Sequence, residues 1–136
     1  MKQRIYRFLP FFVLALTLLT LPAWAADETP FATGKQHFDQ GRFEEAFKEF
    51  HNAFKQDPAN LEINFYLGRA AFETGRFEEA VMAYDRILIA DPEAARVKLE
   101  LARTHLQLGS RELAKQYFKE VQATNPPEQV WKNIQK

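Results

Sequence analysis

Three histidines, one serine and two doubled acids are the residues with which this chain could do chemistry. His37, His51 and His105 could ligate a metal or move a proton. Ser110 could serve as a nucleophile, and Glu44-Glu45 and Glu78-Glu79 could work as paired carboxylates. Each of these roles makes a demand on geometry. A metal needs its ligands converging on one point, and a nucleophile needs a base within hydrogen-bond reach. There is no cysteine, and no Ser-His-Asp constellation forms around the single serine. Whether the histidines and acids converge depends on the elements that carry them.

Those elements repeat. The string GRFEEA stands at residues 41–46 and again at 75–80. The shift that lays the first string on the second also aligns Gly34, Gly68 and Ala102; Gly41, Gly75 and Gly109; and Ala46, Ala80 and Ala114. It aligns Phe50, Tyr84 and Phe118 as well, and then Pro58, Pro92 and Pro126. Three units follow, 27–60, 61–94 and 95–128. Within each unit apolar residues recur at helical spacing in two segments, such as Leu61, Phe65, Leu67, Ala71, Phe72 and then Phe77, Ala80, Val81, Tyr84, Ile87, Leu88. The glycine of each GR or GS step fits a left-handed cap closing the first helix. The proline near each unit's end stops the second helix and pushes the residue before it out of helical geometry. The small residues of the two helices allow close approach, and the large aromatic fills the space to the neighbouring unit. The spacing therefore predicts three stacked helix–turn–helix units, an all-α fold.

That architecture answers the question about chemistry. His37 and His105 hold the same place in units two apart. With helices packing 8–10 Å apart they should be at least ~16 Å from each other, too far to share a metal. They read as packing residues in place of an aromatic, and His51 reads as solvent-facing on a second helix. The doubled acids fall in the first turn of second helices, where the helix dipole favours negative charge. No catalytic, metal or cofactor site is expected.

The front of the chain reads differently. Lys2, Arg4 and Arg7 precede an apolar stretch over 11–21, bracketed by Pro10 and Pro22, and then Ala23-Trp24-Ala25. This order describes a secretory signal peptide over residues 1–25, cut after Ala25. The apolar stretch is short of the roughly 20 residues a spanning helix needs, so no membrane span is expected after cleavage. No cysteine follows it to carry a lipid. The 18 basic and 18 acidic residues balance over the whole chain; removing three cations leaves residues 26–136 at a net charge of −3. This mildly acidic balance argues against nucleic acid, whose phosphates need clustered positive charge. Without disulfides, the exported domain must be held by packing alone.

Leu67-Gly68, Gly75, Phe77, Ala80, Tyr84 and Asp91-Pro92 together resemble the tetratricopeptide repeat. Unit one departs from that pattern at Pro30 and Thr33. Pro30 behind Thr29 looks like a first-turn proline after an N-cap. Unit three carries Arg111 where an aromatic is usual, so its turn is expected to pack more loosely. The resemblance implies a superhelix whose first helices line a concave groove that takes extended or helical peptides. The fifth position of each unit then supplies Phe31, Phe65 and Leu99 to the groove, and the twelfth Phe38, Phe72 and Leu106. The ninth supplies Lys35, Arg69 and Arg103, and the second Glu28, Glu62 and Arg96. A stripe of cations between two apolar rows suits a protein or peptide with apolar anchors and an acidic group or free C-terminal carboxylate. The competing view is a solvated face, with Lys35–Asp39 and Arg69–Glu73 as i,i+4 ion pairs. The family's lysine–asparagine carboxylate clamp is not met, since Phe31 and Tyr66 occupy two of its places.

The C-terminal PPEQVWKNIQK is expected to form a capping helix over 127–136, docked by Val130, Trp131 and Ile134. Residues 97–136 also resemble the last repeat of the periplasmic domain of surface lipoprotein assembly modulators, where such a helix leads into an outer-membrane barrel. The expectation is thus a periplasmic, non-catalytic interaction module. Its alternatives are the soluble part of an outer-membrane export system that continues past Lys136, and a regulatory subunit of an envelope enzyme. Self-association through the weakly capped C-terminal face, giving a homo-oligomer, stays open.

Overall fold

The computed structural model describes residues 29–124. They form six helices: α1 Pro30–Asp39, α2 Phe43–Gln56, α3 Leu61–Glu73, α4 Phe77–Ala90, α5 Ala95–Gln107 and α6 Arg111–Ala123. Each helix packs on the next in the chain, and the first helices also touch one another, α1 with α3 and α3 with α5. Short connections make successive helices antiparallel, so α1, α3 and α5 run parallel. This is an all-α solenoid of three helix pairs. The expected signal peptide and capping helix lie outside the described residues.

The turn inside each pair is built the same way three times. Gly41, Gly75 and Gly109 have φ of 73°, 75° and 75°, a left-handed conformation that L side chains rarely adopt. Gly41 donates its N–H to the carbonyl of Phe38 at 3.0 Å, and Arg42 donates to that of His37 at 2.9 Å. Gly75 and Arg76 repeat the pair on Phe72 and Ala71, and Gly109 and Ser110 on Leu106 and His105. Two nested bonds of this kind are the Schellman cap, which satisfies the last free carbonyls of the first helix.

The starts are more varied. Thr29 caps α1 by accepting from the N–H of Ala32 at 3.2 Å, with Pro30 in the first turn. Asn60 caps α3 by accepting from the N–H groups of Glu62 and Ile63 at 3.0 and 3.1 Å. The second helices have no side-chain cap; acids in the first turn, Glu44 and Glu45 in α2 and Glu78 and Glu79 in α4, face the positive helix end instead.

Close contact inside a pair depends on glycine. A Cβ on Gly34 would come within 2.7 Å of the Phe50 ring, and one on Gly68 within 2.5 Å of the Tyr84 ring. Phe50 and Tyr84 are fully buried, as are Ala46, Ala80 and Ala114. The core runs as two linked clusters. Phe38, Phe50 and Leu67 join units one and two; Tyr84, Ile87, Val97 and Leu101 join units two and three.

Candidate peptide-binding groove

The first helices carry a ladder of cations seated on aromatic rings, the arginines on rings of the preceding unit. The guanidinium of Arg69 in α3 lies 4.5 Å from the ring centre of Phe38 in α1. One unit on, Arg103 in α5 lies 4.9 Å from Phe72 in α3. Arg96 in α5 lies 4.4 Å from Phe65 in α3. Lys35 sits near two rings, 5.5 Å from Phe31 and 5.1 Å from Tyr66. A cation over an aromatic face is drawn to the negative ring quadrupole, and the flat guanidinium stacks on it while keeping its N–H edge free. The expected arrangement of a cation stripe between two apolar rows is therefore altered. The arginines lie on the apolar rows and cover part of them.

Neither expected i,i+4 pair is the contact these cations make. Lys35 pairs instead with Glu62 of the next unit at 3.5 Å. Arg103 pairs with Glu100 at 2.9 Å. Among the described residues Arg69 and Arg96 make no salt bridge, and each is held by its ring. The physical reason lies in reach. An arginine pointing back toward the previous unit finds an aromatic face already in place, whereas an acid one turn along its own helix offers only a solvent-exposed pair worth a few tenths of a kcal/mol.

The nine residues expected in the groove are not equally available. Phe31, Lys35, Phe65, Arg69, Phe72 and Arg103 are partly buried and keep some surface. Leu106 is 47% exposed. Phe38 is 9% exposed, because Arg69 covers one face while Phe43, Phe50 and Tyr66 crowd its edges. It is floor rather than contact surface. Leu99, expected beside Phe31 and Phe65, is only 3% exposed and belongs to the core. A leucine side chain ends short of the level that a phenylalanine ring reaches from the same place.

The twelfth-position row has a second duty. Phe38 meets Phe43 edge-on at 5.1 Å across the turn, and Phe72 meets Phe77 likewise at 5.5 Å. In unit three the corresponding residues are Leu106 and Arg111, so no ring pair forms and Leu106 is exposed, although the turn at Gly109 is closed by the same two bonds as the others.

His105 and His51 take packing roles. His105 stacks on Tyr117 with centroids 5.8 Å apart and planes at 10°. The exposed His51 stacks on Phe47 at 6.2 Å. Among the described residues no group of three or more His, Asp or Glu side chains could hold a metal ion. No described helix is long and apolar enough to cross a membrane.

Three features have no clear mark in the sequence. Asn64 is buried and donates to the carbonyls of Pro58 and Asn60 at 2.9 and 2.8 Å, pinning the connection between units one and two. Lys98, 7% exposed, reaches Glu93 at 3.7 Å and Glu120 at 3.2 Å. For Arg96, which the resemblance already places at a groove-facing second position beside the acids Glu28 and Glu62, the unmarked feature is its seat on Phe65, at the same offset along the chain as that of Arg69 from Phe38.

Two family models, both of the tetratricopeptide repeat, match the chain over residues 31–95 and 75–136. The chain belongs to the tetratricopeptide repeat family. Solved tetratricopeptide-like structures agree in fold. MamA from AMB-1 is 24% identical with a TM-score of 0.66, covering 71% of this chain and 52% of its own, so this chain spans about half of MamA's length. PcrH, solved in complex with the chaperone binding region of PopD, is 25% identical with a TM-score of 0.68, covering 76% of this chain and 80% of its own. The second tetratricopeptide domain of Spaghetti (RPAP3), bound to an HSP90 peptide, is 21% identical with a TM-score of 0.64, covering 69% and 87%. No curated protein sequence matches. As a tetratricopeptide protein, the chain has α1, α3 and α5 as the first helices of its three units.

Proposed function

We propose that this tetratricopeptide protein is a non-catalytic module that holds a peptide segment of another protein along α1, α3 and α5. The observation that carries the reading is the ladder of cations fixed on aromatic rings along that face. Cations held in place by neighbouring rings lose little side-chain freedom on meeting an acid, so binding is less opposed by entropy. Exposed ring edges and Leu106 offer apolar anchors beside them. PcrH supports the same use of the fold, since its structure holds the chaperone binding region of PopD. The partner is then a protein or peptide of apolar and acidic character, with a C-terminal carboxylate as one form of the acid.

The setting proposed is the cell envelope, reached by a leader cut after Ala25. Within it, the chain acts as a free-standing adaptor, with the soluble part of a surface-lipoprotein export system and a regulatory subunit as the alternatives. The intact mass of the native protein tests this directly. A mass equal to residues 26–136 supports export and a free-standing module, and a much larger mass overturns the latter.

The groove is tested with a photo-crosslinking residue placed at Leu106, against a control at Ile89 on α4, which is 83% exposed. A defined crosslinked partner at Leu106, absent at Ile89 and lost when Arg69→Glu and Arg103→Glu are combined, supports groove binding. Equal crosslinking from both sites, or capture that survives the double charge reversal with helicity intact, overturns it.

A further inference from the structure

Four cations stand on the ladder, and they fall into two kinds. Lys35 and Arg103 are each neutralised by a carboxylate of this chain, Glu62 and Glu100. Arg69 and Arg96 are held by rings alone among the described residues, on Phe38 and Phe65. A guanidinium stacked on a ring has one face desolvated and its N–H edge pointing outward, which is the edge that grips a carboxylate in two parallel bonds. The unneutralised charge is therefore concentrated at two fixed points and not spread along the face.

The repeat geometry sets how far apart those points are. Phe38 and Phe65 occupy the twelfth and fifth places of consecutive units, seven residues apart in repeat register. Seven residues along parallel helices is about 10 Å, and one helix spacing across is about 8–10 Å. The two guanidinium groups thus lie about 14 Å apart on a diagonal from α1–α3 to α3–α5. An extended chain advances about 3.3 Å per residue, so four residues span about 13 Å. Side chains four apart also emerge on the same side of an extended chain.

We propose that the ligand is an extended peptide carrying two acidic side chains four residues apart, one taken by Arg69 and the other by Arg96. This rests on the groove reading above and adds to it a register and a residue, Arg96. Charge complementarity selects the occupant. The two points left positive by the chain's own pairing are the two that an acidic peptide would fill, and the acids already present at Glu62 and Glu100 repel a peptide whose carboxylates fall elsewhere.

The test uses the full chain after leader removal and short fluorescent peptides of alanine, serine and leucine, capped at both ends so that no terminal carboxylate competes. Each carries two glutamates spaced two, four or seven residues apart, or glutamines in their place. Anisotropy titration at low salt should show the four-residue spacing binding about fivefold or more tightly than the other spacings, as one further charge-assisted contact gives. Arg96→Gln and Arg69→Gln should each remove that preference, leaving the four-residue spacing no tighter than the others. Binding that ignores spacing, or a preference that persists in Arg96→Gln, overturns this inference and leaves the groove reading standing. Absence of binding by every peptide, glutamine versions included, overturns both.

Discussion

The guanidinium of Arg69 lies over the ring of Phe38, 4.5 Å from its centre, and joins unit two to unit one. Arg103 does the same to Phe72, and Arg76 and Arg86 lie 4.6 Å from Phe47 and Phe54. Stability in a solenoid is a sum of unit terms and nearest-neighbour interfaces, and these contacts belong to the interfaces. Arg69→Ala is expected to cost about 0.5–1 kcal/mol, the worth of a cation–π contact at a partly exposed site. Arg69→Lys should recover only part, because the ammonium keeps charge and loses the flat stack. Urea denaturation monitored by circular dichroism measures both. An unchanged midpoint for Arg69→Ala would show that the contact contributes nothing.

Gly68 meets Tyr84 even more closely than Gly34 meets Phe50. An added Cβ would stand 2.5 Å from the tyrosine ring, which is fully buried and has nowhere to retreat. Gly68→Ala should destabilise by about 1–3 kcal/mol despite alanine's better helix propensity, as overpacked cores do. Combining it with Tyr84→Leu should give less loss than the two single losses added, because the smaller side chain makes room. A double-mutant cycle with no coupling would contradict the packing.

The fold is legible in the sequence because each signal for it is local and repeated. Gly41, Gly75 and Gly109 recur once per unit at a constant interval, and the left-handed cap needs only its near neighbours to form. The fate of the groove side chains is not legible in the same way. Lys35 and Arg69 each have an acid one turn away on their own helix, and a single helix gives no reason to prefer a ring in the preceding unit. The burial of Leu99 is hidden for a related reason: repeat register fixes where a side chain starts, and its length decides whether it surfaces. Lys98 is invisible because its partners Glu93 and Glu120 come from the connection before α5 and from α6, brought together only by packing.

Tyr84 carries a buried hydroxyl with no hydrogen-bond partner among the described residues. Burial, with some help from Glu100, raises its pKa well beyond the usual tyrosine range, so the phenol stays neutral throughout the working range. Phe50 occupies the same place in unit one without a hydroxyl. Tyr84→Phe should therefore stabilise the chain by about 1 kcal/mol, since an unpaired buried donor costs about 1–3 kcal/mol. Thermal unfolding followed by the helical circular dichroism signal should show a higher midpoint. A lower one would mean that the hydroxyl has a partner that holds it.

Lys98 is nearly buried between Glu93 and Glu120, and the arrangement gives unit three a dependence on acid. The pKa of Glu120 is lowered, first by the hydrogen bond from Gln116 and then, against the opposing effect of burial, by Lys98. A carboxylate whose pKa is lower folded than unfolded adds stability above its ordinary value of 4.5 and loses it as pH falls through the lower folded value. Asp85 has the opposite sign, because burial raises its pKa. A comparison of two variants at each pH cancels that term. Lys98→Met should leave stability at pH 7 within about 1 kcal/mol of the parent, because it removes the one buried charge and leaves Glu93 and Glu120 in contact with solvent. It should also make the loss of stability below pH 4.5 shallower. Glu120→Gln, which leaves the lysine with Glu93 alone, should be the more destabilising at pH 7. Identical acid limbs for the parent and Lys98→Met would show that the lysine has no part in the pH response.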